Sequence, residues 1–144
     1  MTVKLLLRVT ALAEGGMALA FLLAPSLPSQ LVFGEPLRAN LSLLLGRLLG
    51  AAVLSLALLC WWASSDPSRP LTAIVLKTML LYDTLAGGLL IYARISLGLS
   101  GGLLWAGVAV HAALGALCIL ALKRWLIPAE SNVRYDSSRD LDRK

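Results

Sequence analysis

Charge is scarce in this chain. Only 15% of its 144 residues are Asp, Glu, Lys or Arg, against about 25% in soluble domains. Disorder requires the opposite composition, high charge with few apolar residues, and is excluded for most of the length. Cysteine is almost absent: Cys60 and Cys118 cannot build a disulfide framework or a four-ligand zinc site. They form no CxxC pair, so thiol–disulfide chemistry has no motif to rest on, and both read as small apolar groups. Histidine occurs once, at His111. HExxH and P-loop patterns are missing, as is any cluster with metal-ligand spacing, so neither a catalytic motif nor a metal site is expected. The net charge of +5 has no soluble scaffold to display it, which argues against a nucleic-acid partner. What is abundant is hydrocarbon, with 58% apolar residues and a mean hydropathy of +0.81.

That hydrocarbon falls into four stretches, near residues 3–24, 41–63, 71–92 and 102–122. Each is long enough for the roughly 20 helical residues that a bilayer crossing needs. Pro25, Pro28, Gly34 and Pro36 interrupt the first connection, and Asn40 is placed to cap the second helix. Asp66-Pro67 suits the start of the third, and Gly98, Gly101 and Gly102 precede the fourth. Pro128 ends the last helix, and the polar residues 128–144 read as a solvated tail. A signal peptide would need an unbroken apolar core, which Arg8 and Glu14 interrupt, so the first stretch reads as a span. The helices are apolar nearly all round, unlike the one-sided helices of a soluble bundle. The expected fold is therefore an all-α, integral-membrane four-helix bundle over residues 1–127, running up-down-up-down.

An even number of spans puts both termini on one side. Lys4, Arg8, Arg69, Lys77, Lys123, Arg124 and the basic residues of the tail fall on that side, against Arg38, Arg47 and Arg94 opposite. The positive-inside rule places both termini in the cytoplasm. Trp61, Trp62 and Trp125 then lie at the cytoplasmic interface, with Tyr92 and Trp105 at the outer one.

Within the spans stand Arg8, Glu14, Arg47, Lys77, Asp83 and His111. A lipid-facing charge at mid-bilayer costs about 2.5–3.5 kcal/mol even on the mildest scale. At about 1.5 Å of rise per residue, Glu14 and Asp83 lie roughly 16 and 18 Å from the cytoplasmic face, and Arg47 and His111 roughly 21 and 16 Å on the same scale. One ionisable group from each span thus shares a layer near the midplane. Two readings follow: an ion-pair network that locks the helices together, or a polar cavity that binds a small ligand or passes protons. Arg8 and Lys77 sit nearer the cytoplasm and are expected to snorkel.

Gly107 and Gly115 flank His111 by one turn on the same face of the fourth span. Such spacing suits close helix contact, or a planar tetrapyrrole ligated by His111 alone. Gly46-Arg47-Leu48-Leu49-Gly50 is a GxxxG pattern, with Gly46 and Gly50 as packing positions in the second span. The first and third spans share a cation followed six residues later by an acid, Arg8 with Glu14 and Lys77 with Asp83, which suggests a repeated hairpin. Six residues turn a helix by about 600°, so each cation and its acid lie roughly 120° apart.

The run Arg8-Val9-Thr10-Ala11-Leu12-Ala13-Glu14, the Gly46–Gly50 pattern, Cys60-Trp61-Trp62 and the segment from Leu104-Trp105 to His111 resemble a family of small bacterial four-span proteins of unknown function. In size the chain is also similar to DoxX-like proteins. The resemblance implies a bacterial inner-membrane location and carries no activity. Small size, short loops and glycine-rich faces point to a non-catalytic accessory or structural subunit of a larger respiratory, photosynthetic or transport complex, partnered by the lipid bilayer and by other membrane subunits. The alternative is a carrier or binding protein for a small hydrophobic or weakly acidic ligand, or for protons, that uses Glu14, Arg47, Asp83 and His111.

Overall fold

A hydroxyl starts the first helix: Thr2 Oγ1 accepts the Leu5 N–H at 3.3 Å, satisfying one of the donors that a helix N-terminus leaves free. The computed structural model describes residues 2–65 and 69–126. Its five helices are α1 (Val3–Leu23), α2 (Ser26–Phe33), α3 (Asn40–Ser65), α4 (Arg69–Ile95) and α5 (Leu104–Leu126), with no strand among the described residues. Asp66-Pro67, the Trp125 side chain and residues 128–144 lie outside the described residues.

Four of these helices, α1, α3, α4 and α5, are long and apolar enough to cross a bilayer. Between 28% and 39% of each crossing segment is buried against protein, so most of every helix faces outward. Leu12, Leu23, Leu41, Leu89 and Ile95 are each at least 65% exposed. Water would not tolerate such a coat, whereas hydrocarbon does. Four such helices with outward apolar faces suggest a multi-pass membrane protein.

The long helices pair as two hairpins. Gly15 faces Ala57, Gly50 faces Ala18 and Leu22, and Gly46 faces Phe21 and Pro25, so α3 descends against α1. The second hairpin pairs Asp83 with Gly115, Gly87 with His111, and Leu90 with Gly107, so α5 descends against α4. At the end where α1 begins, the hairpins share a dry core that includes Leu6, Leu7, Cys60, Val75, Leu76, Met79 and Cys118. Above that level a cleft opens between them.

At the far end the link between α1 and α3 is not a loop of breakers but a short helix, α2. Pro28 is tolerated because it stands in the first turn, where its missing N–H has no partner to lose. Gly34, at φ 81°, ends the helix in the left-handed conformation that glycine adopts without steric penalty. Ser26 and Ser29 hydroxyls donate to the Leu37 and Glu35 carbonyls at 2.6 and 2.7 Å, folding the segment back on itself. The carbonyls of the last turn of α2 are then taken by the other hairpin. Ser100, Gly101 and Leu103 N–H groups donate to Phe33, Val32 and Leu31 at 3.0, 3.2 and 2.9 Å. A side chain on Gly101 would run into the backbone of Leu31 and Val32, so only glycine lets the strap approach this closely. Asn40 does not cap α3 as expected. The Leu43 N–H already bonds the Ala39 carbonyl at 2.9 Å, which puts Asn40 inside the helix and makes Ala39 the residue that accepts its first bond.

Candidate functional site

Directly above the shared core, at the level where the hairpins part, three helices turn polar side chains toward one another. Glu14 comes from the buried face of α1, four residues after Thr10 and four before Ala18, both also buried. Tyr82 and Asp83 come from α4 and His111 from α5. Glu14 is 5% exposed and Asp83 is 2% exposed, so lipid reaches neither carboxyl.

The contacts run as a chain across the bundle. The Tyr82 hydroxyl donates to Glu14 Oε2 at 3.0 Å. The Tyr82 ring meets His111 edge to face, with centroids 5.6 Å apart and planes at 78°. His111 Nδ1 lies 2.9 Å from Asp83 Oδ1. With Asp83 ionised, Nδ1 carries the hydrogen of that bond. Asp83 Oδ2, the other oxygen of that carboxyl, is buried with no hydrogen-bond partner among the described residues. Buried polar atoms are satisfied in the great majority of cases, so an orphaned carboxylate oxygen marks a place where something else is accommodated.

Two clefts open onto this cluster. One lies between α4 and α5, has a volume of about 350 Å³, and is lined by Asp83, Thr84, Gly87, Gly88, His111 and Gly115 among apolar neighbours. The other, also about 350 Å³, lies between the hairpins and runs from Tyr82 and His111 to Phe21, Val32 and Phe33 near the α2 end. His111 borders both.

Of the four midplane residues expected from the sequence, Glu14, Asp83 and His111 converge and Arg47 does not. Arg47 is exposed, and its Nε donates to the Leu22 carbonyl at 3.3 Å. The physical reason is that the last carbonyls of α1 have no helical partner and carry the negative end of its dipole. A long guanidinium stem reaches them more readily than it enters the packed centre. Arg8, exposed as expected, lies over the Trp61 ring at 5.8 Å, and Lys77 is exposed as well.

The glycines divide by hairpin. Gly46 and Gly50 leave no room: a Cβ at Gly50 would stand 2.8 Å from the Ala18 carbonyl oxygen, and one at Gly46 would stand 2.8 Å from Pro25 Cβ. Gly107 and Gly115 meet only side chains, at 3.1 and 3.7 Å. Gly115 sits opposite Asp83 rather than against helix backbone, and Gly87 opposite His111.

Two features escaped the sequence reading. Tyr82 carried a signal that was there to use, a phenol beside an intramembrane acid. The other is a donor set of metal-binding type, where none was expected. Glu14, Asp83 and His111 each place one donor atom within 4.8 Å of the other two. The residues involved are 28 or more positions apart and lie on separate helices, so no local motif marks them. Neither a protein-family model, nor a curated protein, nor a solved structure matches this chain.

Proposed function

We propose that this chain is a bacterial inner-membrane protein, both termini cytoplasmic, that binds a small and largely apolar molecule whose polar head meets Asp83 and His111. The orientation rests on the excess of Lys and Arg at the terminal side of the spans. The binding reading rests on one observation: the two clefts of about 350 Å³ both reach His111. Their volume is that of small-molecule sites, which are typically about 300–1,000 Å³ and apolar with a few converging polar groups. Here the converging groups are Tyr82, Asp83, Thr84 and His111, and the rest of the lining is hydrocarbon or glycine. A ligand head that donates to Asp83 Oδ2 would satisfy that unpaired oxygen.

The test uses a fluorescent naphthol, an apolar bicycle with a single hydroxyl, titrated into the protein in lipid nanodiscs. Wild type should bind it saturably at one site per chain. Asp83→Asn should weaken binding about tenfold or more, the cost of losing one charge-assisted hydrogen bond. Leu12→Ala, on the outward face of α1, should leave it unchanged. Equal binding by wild type and Asp83→Asn would overturn the reading. The rival reading, an accessory subunit of a larger membrane complex, is favoured by the broad apolar outer faces. It expects the chain to travel with partner subunits after mild extraction from its native membrane and the naphthol to find no saturable site.

A further inference from the structure

We infer that Glu14, Asp83 and His111 form a binding site for one divalent transition-metal ion. Two observations carry this independently of any small-molecule ligand. The first is convergence: one donor atom from each residue lies within 4.8 Å of the other two. Donors around a tetrahedral ion, at bond lengths of about 2.0–2.2 Å, stand roughly 3.4 Å apart. The His111–Asp83 separation of 2.9 Å lies about half an ångström under that figure, so the ion would replace their hydrogen bond, with that pair opening slightly and Glu14 drawing in. The second is Asp83 Oδ2, an unpartnered oxygen on a residue 98% buried and part of this same cluster. A buried carboxylate oxygen without a protein donor is costly, and a cation is its strongest available partner.

Charge and donor chemistry select the ion. Two ionised carboxylates and a neutral imidazole carry −2, which a divalent cation cancels; a neutral complex is what a low-dielectric layer tolerates best. One nitrogen and two oxygens suit Zn²⁺, Mn²⁺ or Fe²⁺ rather than the all-oxygen shell of Ca²⁺ or Mg²⁺. Three protein donors leave a coordination position vacant, as in sites that bind a water or a small ligand on the metal rather than in closed structural sites. Both clefts border His111 and supply the space. Tyr82 holds Glu14 by its carboxylate at 3.0 Å, the orienting contact that ligating carboxylates commonly receive from a neighbouring donor. For the ion to take His111 Nδ1, the imidazole hydrogen moves to Nε2, so that a neutral ring and two ionised carboxylates face the metal.

The experiment uses Zn²⁺ alone. Full-length protein purified in detergent and stripped with a chelator is titrated with Zn²⁺ and then washed. Metal content and thermal unfolding are read together, with Mg²⁺ as the control ion. Wild type should retain one Zn²⁺ per chain and unfold at higher temperature with Zn²⁺ but not with Mg²⁺. Asp83→Asn and His111→Gln should lose both effects, while Tyr82→Phe should retain Zn²⁺ at roughly 10–100-fold lower affinity. Replacing both thiols, Cys60→Ala with Cys118→Ala, should leave binding unchanged. Asp83→Asn is close to isosteric and lacks only the charge; should it fail to fold, Glu14→Gln supplies the same comparison. Stoichiometry below 0.2 in wild type, equal retention by Asp83→Asn, or loss of binding in the thiol-free chain would each overturn the inference. A naphthol site that survives chelation would separate failure here from failure of the small-molecule reading.

Discussion

The two hairpins are built from the same ingredients and put them to opposite uses. In α1 and α3 the glycines close a gap: Gly50 brings α3 against the α1 backbone at Ala18 and Leu22, and Gly46 receives Pro25 and Leu37. In α4 and α5 Gly107 still meets the Leu90 side chain at 3.1 Å, but the other glycines border open space. Gly88 has nothing within 4 Å of where its side chain would stand, and Gly87, Gly88 and Gly115 line a cleft of about 350 Å³. A small residue in a membrane helix thus has two structural meanings, contact or vacancy, and its spacing does not say which. Without water to drive helices together, close packing has to come from van der Waals contact, which the first hairpin maximises and the second gives up along one face. The difference assigns roles: one hairpin is the rigid wall, and the other carries the polar groups and the space beside them.

Gly50→Leu is the sharpest attempt to break that comparison and carries the largest expected effect. The incoming side chain meets the Ala18 oxygen and the Leu22 nitrogen, both helix backbone, at 2.8 and 2.9 Å for its first carbon alone. Neither can move without displacing α1. Overpacking of this kind costs 1–3 kcal/mol where side chains can yield and more where they cannot, so roughly 3 kcal/mol or more is expected. Unfolding in mixed micelles of a mild detergent and dodecyl sulfate would read the loss. A Gly50→Leu protein as stable as wild type would mean that α1 and α3 do not need their close approach.

Next in size is Gly88→Leu, expected to change function while sparing the fold. Nothing stands within 4 Å of its Cβ, so the side chain fills the α4–α5 cleft and displaces only what occupies it. Stability should stay within about 1 kcal/mol of wild type, since the change removes a helix-interior glycine. Naphthol binding should fall by at least about tenfold, since that is the effect of filling volume a ligand would occupy. Unimpaired binding would place the ligand in the other cleft, between the hairpins, and would take away the functional half of the comparison.

The same contrast explains what could be read from the residues alone. Long apolar runs and the breakers between them are local features, so four long helices were recoverable, with ends within about four residues of those observed. Depth is also local, because rise per residue is constant, and counting residues puts Glu14, Asp83 and His111 in one layer without any knowledge of their contacts. Azimuth was harder to read. Arg47 shares the predicted depth but its side chain runs along the helix to the Leu22 carbonyl, a partner created only when α1 ends beside α3. The short helix α2 was hidden by two prolines that normally signal irregular chain, yet Pro25 and Pro28 stand where a first turn accepts them. The strap from Ser100 to Leu103 onto α2 depends on both hairpins being in place, so no window of sequence contains it.

The smallest expected effect decides whether position or composition is at issue. Gly16 lies on α1 with nothing within 4 Å of its Cβ site, two residues from Ala18, whose carbonyl abuts Gly50. Alanine there gains helix propensity, worth about 0.8–1.0 kcal/mol in soluble helices, and meets no neighbour. Gly16→Ala should therefore leave micelle unfolding unchanged or slightly later. Gly50→Ala adds the same single methyl group one helix away, but this carbon falls 2.8 Å from the Ala18 oxygen, and it should cost about 1–3 kcal/mol. If both substitutions destabilise alike, the bundle needs glycine for chain flexibility and the contact geometry is incidental. If they separate, as the distances require, each glycine acts through what stands opposite it, and the open face of α4 and α5 is a built feature of the protein rather than a consequence of many glycines.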